Sequence, residues 1–134
     1  MDANYSFAID RRHGLVRITM SGLFGLADVA GFVEERRKAH AALGCAPNAH
    51  LTLNDVRGMK IQQQEIVGAF QELLADPAYR SRRLAFVAAR TLARSQLMRA
   101  LASRDARCFE DPAEAEAWLL SDEQSEREPA RRAA

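Results

Sequence analysis

Apolar and polar residues alternate with a period of two in "YSFAID" (5–10), and again in "GLVRITMSG" (14–22), where Leu15, Val16, Ile18 and Met20 mark the apolar positions. The intervening "RRHG" supplies a glycine-containing turn, so the two runs predict an antiparallel hairpin with one face toward a core. The charges that end the first run suit an edge strand, because they discourage pairing with another sheet. After Gly22 the period changes to about 3.6. Val29, Phe32, Val33, His40 and Leu43 then share one stripe, while Glu34, Glu35, Arg37 and Lys38 mostly lie off it. Gly25 is the expected N-cap, Asp28 sits in the first turn at the positive helix end, and Gly44 is a left-handed stop. On this helix His40 reads as a boundary residue with no nearby partner.

"HLTLND" (50–55) predicts a short strand that runs into polar loop. A helix follows with Ile66, Val67, Phe70, Leu73 and Leu74 on its apolar face, and Asp76-Pro77 ends it because the residue before proline is pushed from helical torsions. "RLAFVAA" (83–89) is a compact apolar run consistent with a strand covered on both faces. The helical period returns from Thr91, the expected N-cap, to about Ser103. In "ARCFEDPAEAEAWLL", Arg107 to Phe109 predict a brief strand, Asp111 an N-cap, Pro112 the first helical residue and Glu114 a capping-box partner. Ala115, Trp118 and Leu119 form the buried stripe of a last helix. The order β-β-α-β-α-β-α-β-α predicts an α/β fold: a single mixed, mostly parallel sheet of about five strands packed with about four helices and joined by right-handed crossovers. One domain over residues 1–120 accounts for the pattern. "SDEQSEREPARRAA" (121–134) has no large apolar residue and reads as a disordered charged tail.

A chain of 134 residues is large enough to bury roughly two-thirds of its unfolded surface without a staple. Cys45 and Cys108 belong to no CxxC, so two reduced cysteines are expected and neither a disulfide framework nor a zinc site is indicated. No segment approaches the ~20 apolar residues of a membrane span, and the start lacks the basic-then-apolar order of a signal peptide, which makes a cytoplasmic location the expectation. The net charge of +1 conceals a strong polarity. From Arg80 to Arg107 eight arginines face a single acid, Asp105; from Cys108 to Glu128 eight acids face Arg127 alone. Such blocks neutralise each other across neighbouring elements or across a homodimer. Nucleic acid is disfavoured as a partner, since no exposed aromatics interleave the arginines and no nucleic-acid motif accompanies them.

"MSG" closing the second strand, "LTLNDVRG" at the third, "RLAFVAA" at the fourth and "FEDPAEAEAWLL" at the end together resemble the SpoIIAA-like, or STAS-like, family, over about residues 5 to 120. The resemblance implies an α/β sandwich related to anti-sigma-factor antagonists and, more loosely, to the CRAL-TRIO lipid-transfer fold. Switching antagonists carry a phosphorylatable serine or threonine in a D-S-[SAT]-G segment after the central strand. Here "NDVRGMKIQQQEI" (54–66) keeps Asp55 but contains no serine or threonine. The resemblance therefore implies a non-enzymatic regulatory or protein-interaction module without the kinase switch, with a small-molecule or lipid carrier as the alternative.

Residue chemistry narrows the site. Strand carboxyl ends in open α/β sheets gather ligands, which makes Asn54, Asp55, Arg57 and Lys60 the candidates for a partner or ligand surface. Asp55 lacks a second acid–base group nearby in sequence, and a cap of the turn "NDVRG" by backbone hydrogen bonds is its expected role. Arg90 and Arg94, flanking the helix start near Thr91, are candidates for binding a small anion. Ala85, Ala88, Ala89 and Ala93 are small enough to leave space for a ligand. No nucleophile motif, phosphate loop, metal-ligand spacing or cofactor fingerprint occurs, so no catalytic residue, metal or cofactor is assigned.

Overall fold

The computed structural model describes residues 2–46, 48–89 and 106–127, with side chains to Ser121. Five strands, β1 (Asn4–Asp10), β2 (Leu15–Gly22), β3 (Leu51–Met59), β4 (Arg83–Val87) and β5 (Ala106–Phe109), form one sheet in the order β1-β2-β3-β4-β5. β1 and β2 are antiparallel, and every later pair is parallel. The helices are α1 (Leu26–Leu43), α2 (Gln64–Ala75) and α3 (Pro112–Arg127), with a 3₁₀ turn at Pro77–Tyr79. The architecture is the α/β sheet expected. The helix expected over 91–103, with its Thr91 cap, and the anion candidates Arg90 and Arg94 lie outside the described residues.

The steps β2-α1-β3 and β3-α2-β4 each advance one strand in the same direction, so right-handed crossovers put α1 and α2 on one face of the sheet. Strand alternation then divides the core. Val16, Ile18 and Met20 point to the α1/α2 side and pack with Phe24, Val29, Phe32 and Ile66. Leu15, Leu51, Leu53, Ala85 and Val87 point the other way, onto Ala115 and Leu119 of α3. On β1 the half-buried Tyr5, Phe7 and Ile9 face α1, and the residues between them are largely exposed, as befits an edge strand.

Local signals set the element ends. The Gly25 N–H donates to Asp28 Oδ2 at 2.8 Å, and Gly44, at φ +74°, turns the chain out of α1. The Ala113 N–H donates to Asp111 Oδ1 at 3.0 Å, fixing the start of α3 just before Pro112. At Gly22, φ is +86° and a Cβ would lie 2.2 Å from the Asp2 carbonyl oxygen, so only glycine closes β2 here.

Two boundaries differ from the sequence reading. β3 does not stop at Asp55 but continues to Met59, because β2 offers it a partner: Thr19 pairs with Asp55 and Gly22 with Met59. Between Thr19 and Ser21 the register shifts, Ser21 lying opposite Gly58, so β3 carries an extra residue in a bulge. "NDVRG" is thus bulged strand rather than turn. α3 likewise continues past Leu120 to Arg127, into the segment expected as tail. Once Trp118 and Leu119 anchor it, extending a helix costs far less than starting one, and no glycine or proline interrupts before Pro129.

Candidate ligand cavity

Between the α1/α2 face of the sheet and those two helices lies a cavity of about 210 Å³. Its floor is Ile18 and Met20 of β2, Thr52, Asn54 and Val56 of β3, and Leu84 and Phe86 of β4; Phe32 of α1 and Val67, Phe70, Leu73 and Leu74 of α2 close over it. Ala88 and Ala89 line it too, whereas Ala85 faces α3 and Ala93 lies outside the described residues.

At the amino-terminal end of β3 and β4 the wall turns polar. Thr52 Oγ1 and Ser81 Oγ are hydrogen-bonded at 2.6 Å, and Ser81 Oγ lies 3.3 Å from His50 Nε2. The His50 ring stands edge-on to His40 at 4.5 Å, and His40 in turn to Tyr79 at 5.0 Å. The expectation that His40 has no nearby partner is corrected: the last turn of α1 brings it against His50, just before β3, and Tyr79 of the 3₁₀ turn, so residues far apart in sequence meet. Burial holds His50 at a pKa of about 4, with His40 adding a smaller effect; burial likewise lowers His40, followed by repulsion from Arg36. Both imidazoles are neutral near pH 7.

Arg36 comes from the middle of α1 and is only 8% exposed. Its Nη1 donates to the Leu73 carbonyl at 2.9 Å, Nη2 lies 3.9 Å from Asp76 Oδ2, and the guanidinium stacks over Tyr79 at 4.2 Å. Its Nε–H is buried and has no partner among the described residues. Asn54, 9% exposed on the floor, also keeps an unpartnered buried Oδ1. Desolvation lowers the Arg36 pKa, against the opposing pull of Asp76. Buried polar atoms without partners are costly and uncommon, and Arg36 and Asn54, both residues that line the cavity, each carry one among the described residues.

The structure distributes the four carboxyl-end candidates over different surroundings. Asn54, Arg57 and Lys60 line the cavity and Asp55 does not. Asp55 Oδ1 accepts from the Arg57 backbone N–H at 3.1 Å and from Nε at 3.0 Å, while Oδ2 accepts from Nη2 at 2.7 Å. These bonds hold the Asp55 carboxyl below the ordinary carboxylate range and leave its oxygens committed. Beyond them, Gln62 Nε2 donates to the Gly22 carbonyl at 3.0 Å and Gln62 Oε1 accepts from the Phe24 N–H at 2.9 Å, tying the β3–α2 connection to the end of β2.

Sequence reasoning missed Arg36, His40, His50, Thr52 and Ser81 as a group. A polar residue on a helix's inward stripe was the one available signal: Arg36 falls one turn before His40 and three residues after Val33. Chemically, Ser81 and His50 are the nearest approach to a nucleophile and base. His50 Nδ1 has no partner among the described residues, so no carboxylate orients the ring, and a pKa of about 4 makes it a weak base at neutral pH. Among the described residues no three His, Cys, Asp or Glu side chains come together as metal ligands. Nor is any described helix long and apolar enough to cross a membrane.

No protein-family model matches this sequence, and no curated protein does. Among solved structures, the crystal structure of an uncharacterised protein from the DUF3478 family, from Shewanella loihica PV-4, is similar with a TM-score of 0.72, over 89% of this chain and 96% of that one, at 16% identity. That protein is described as having a SpoIIAA-like fold. The fold here is SpoIIAA-like. Within this SpoIIAA-like frame the segment after the central strand, residues 54–66, carries no hydroxyl side chain, and its first part is strand through Met59.

Proposed function

We propose that this protein is a non-enzymatic regulatory module of the STAS-like class, whose interaction surface is set by a small molecule held between the sheet and α1/α2 rather than by phosphorylation. The observation that carries this reading is the cavity itself, largely apolar in its described lining with a few polar residues, Thr52, Asn54, Ser81 and Arg36, among the residues around it, the composition of a small-molecule site. The absence of serine and threonine from 54–66 supports ligand control over kinase control, and the commitment of Asp55 to Arg57 supports binding over catalysis. The carrier reading draws on the same cavity. At about 210 Å³ it falls below the roughly 300–1,000 Å³ of drug-sized sites, which favours a small regulatory ligand over a bulky lipid cargo.

Native mass spectrometry of freshly purified protein tests the reading. A co-purifying mass of small-molecule size, lost on denaturation and accompanied by a raised Tm of the loaded form, is the expected result. A cavity that stays empty in fresh preparations and against a panel of small metabolites removes it.

A further inference from the structure

The make-up of the cavity wall narrows the ligand to a class. Resting on the ligand-binding reading above, we infer that the cavity takes a neutral molecule of one aromatic ring with no more than a small uncharged substituent.

Size sets the single ring. A dry engineered cavity of about 150 Å³ in another protein holds benzene, so about 210 Å³ holds a ring with a few further atoms and not a long acyl chain.

The lining sets its aromatic character. Phe32, Phe70 and Phe86 line the cavity together with Met20 and Met59. Phe32 and Phe70 already meet edge to face, their centroids 5.7 Å apart and their planes at 86°. A further ring among them gains tilted ring contacts of the same kind, and the thioethers add sulfur–ring contacts on side chains flexible enough to follow its outline. A saturated ring of equal size receives neither.

Charge balance sets neutrality. The described lining residues include no aspartate or glutamate, so a cation would enter without a counter-ion. Arg36 stands 3.9 Å from Asp76 and Arg57 2.7 Å from Asp55, so each already faces a carboxylate, and Lys60 is exposed to water. An anion would therefore shed its hydration to reach cations that other groups balance. Thr52 and Ser81 bond each other at 2.6 Å, and the Gln62 amide is bonded to the backbone of Gly22 and Phe24. What the wall offers a ligand is mainly hydrocarbon and ring surface.

The test uses the full chain and four probes of similar size: toluene, methylcyclohexane, benzoate and benzylammonium. Calorimetry should show saturable binding of toluene, with methylcyclohexane weaker by about threefold or more and both ions weaker by about tenfold or more. In carbon-edited NMR the Met20 and Met59 methyl resonances should shift with toluene occupancy through its ring current, while those of Leu119, across the sheet on α3, should stay. An ion that binds as tightly as toluene overturns the neutral assignment, and methylcyclohexane equal to toluene overturns the aromatic one; either leaves the cavity as a ligand site. Toluene that binds and leaves both methionines unmoved sits elsewhere and overturns the inference. Binding of none of the four overturns it as well, and a small mass co-purifying in the native spectrum would then leave the ligand-binding reading standing without it.

Discussion

At the scale of single residues, backbone geometry and burial make separable demands. Gly22 and Gly44 both hold a left-handed φ, yet a Cβ at Gly44 would meet nothing within 4 Å, while at Gly22 it would strike the Asp2 backbone. Gly44→Ala should therefore cost only the torsional strain, about 1 kcal/mol, and Gly22→Ala about 2–3 kcal/mol or more as the β1 approach is pushed open. Equilibrium urea unfolding of the two variants checks the difference, and equal losses would contradict it. His50 makes a demand of another kind. Its folded pKa of about 4 lies below the ordinary value near 6.5, so the folded state favours the neutral ring. Its contribution to stability is complete above pH 6.5 and declines as pH falls from there toward 4, because the unfolded chain takes up the proton first. By pH 5 the loss is about 2 kcal/mol. Urea midpoints measured from pH 7.5 to 5 should fall accordingly, and His50→Gln should flatten that slope; a slope unchanged in the variant would assign the pH dependence elsewhere.

Among the elements, α3 shows which contacts hold a helix to a sheet. Leu119 is fully buried against Leu15, Leu51, Leu53, Ala85 and Val87, whereas the Arg17–Glu116 ion pair lies half-exposed beside it. Leu119→Ala should cost about 2–5 kcal/mol and Glu116→Ala no more than about 1 kcal/mol, the latter difference vanishing in high salt. Thermal denaturation at two ionic strengths separates them. Part of the basic block read from the sequence also meets α3, though through its ring: Arg83 and Arg107 lie 4.4 and 5.3 Å from the Trp118 centroid. Trp118 was legible as a packing residue, and its service to two arginines was not, since cation–π contacts leave no spacing signature. The strands and helices themselves were legible because each has its own period. The end of β3 was not: Asn54 to Gly58 has turn composition, and only the presence of β2 alongside, with a bulge to absorb the misfit, keeps it in the sheet. Local composition proposes an element, and the neighbouring strand decides where it stops.

For the molecule as a whole, the polar interior was the part hidden from the sequence. Candidates chosen by proximity along the chain, Asn54 to Lys60, gave one residue of the buried wall, because the others come from α1 and from the segments entering β3 and β4 and meet only once the crossovers are made. That interior carries a cost the fold has no structural need for. Asn54 sits on the sheet floor among Ile18, Val56 and Phe86, where an aliphatic side chain of similar volume would pack without an unpartnered carbonyl. Asn54→Leu should therefore raise the stability of the unliganded protein by about 1–3 kcal/mol, the penalty of an unmet buried polar group. The same substitution should remove ligand binding and the stabilisation that binding brings. Natural sequences give up stability in this manner where a site needs it. Denaturant unfolding with and without the cavity's ligand distinguishes the two outcomes: a more stable, ligand-blind variant means that Asn54 serves the cavity, and a less stable one means that its amide is a structural member of the core.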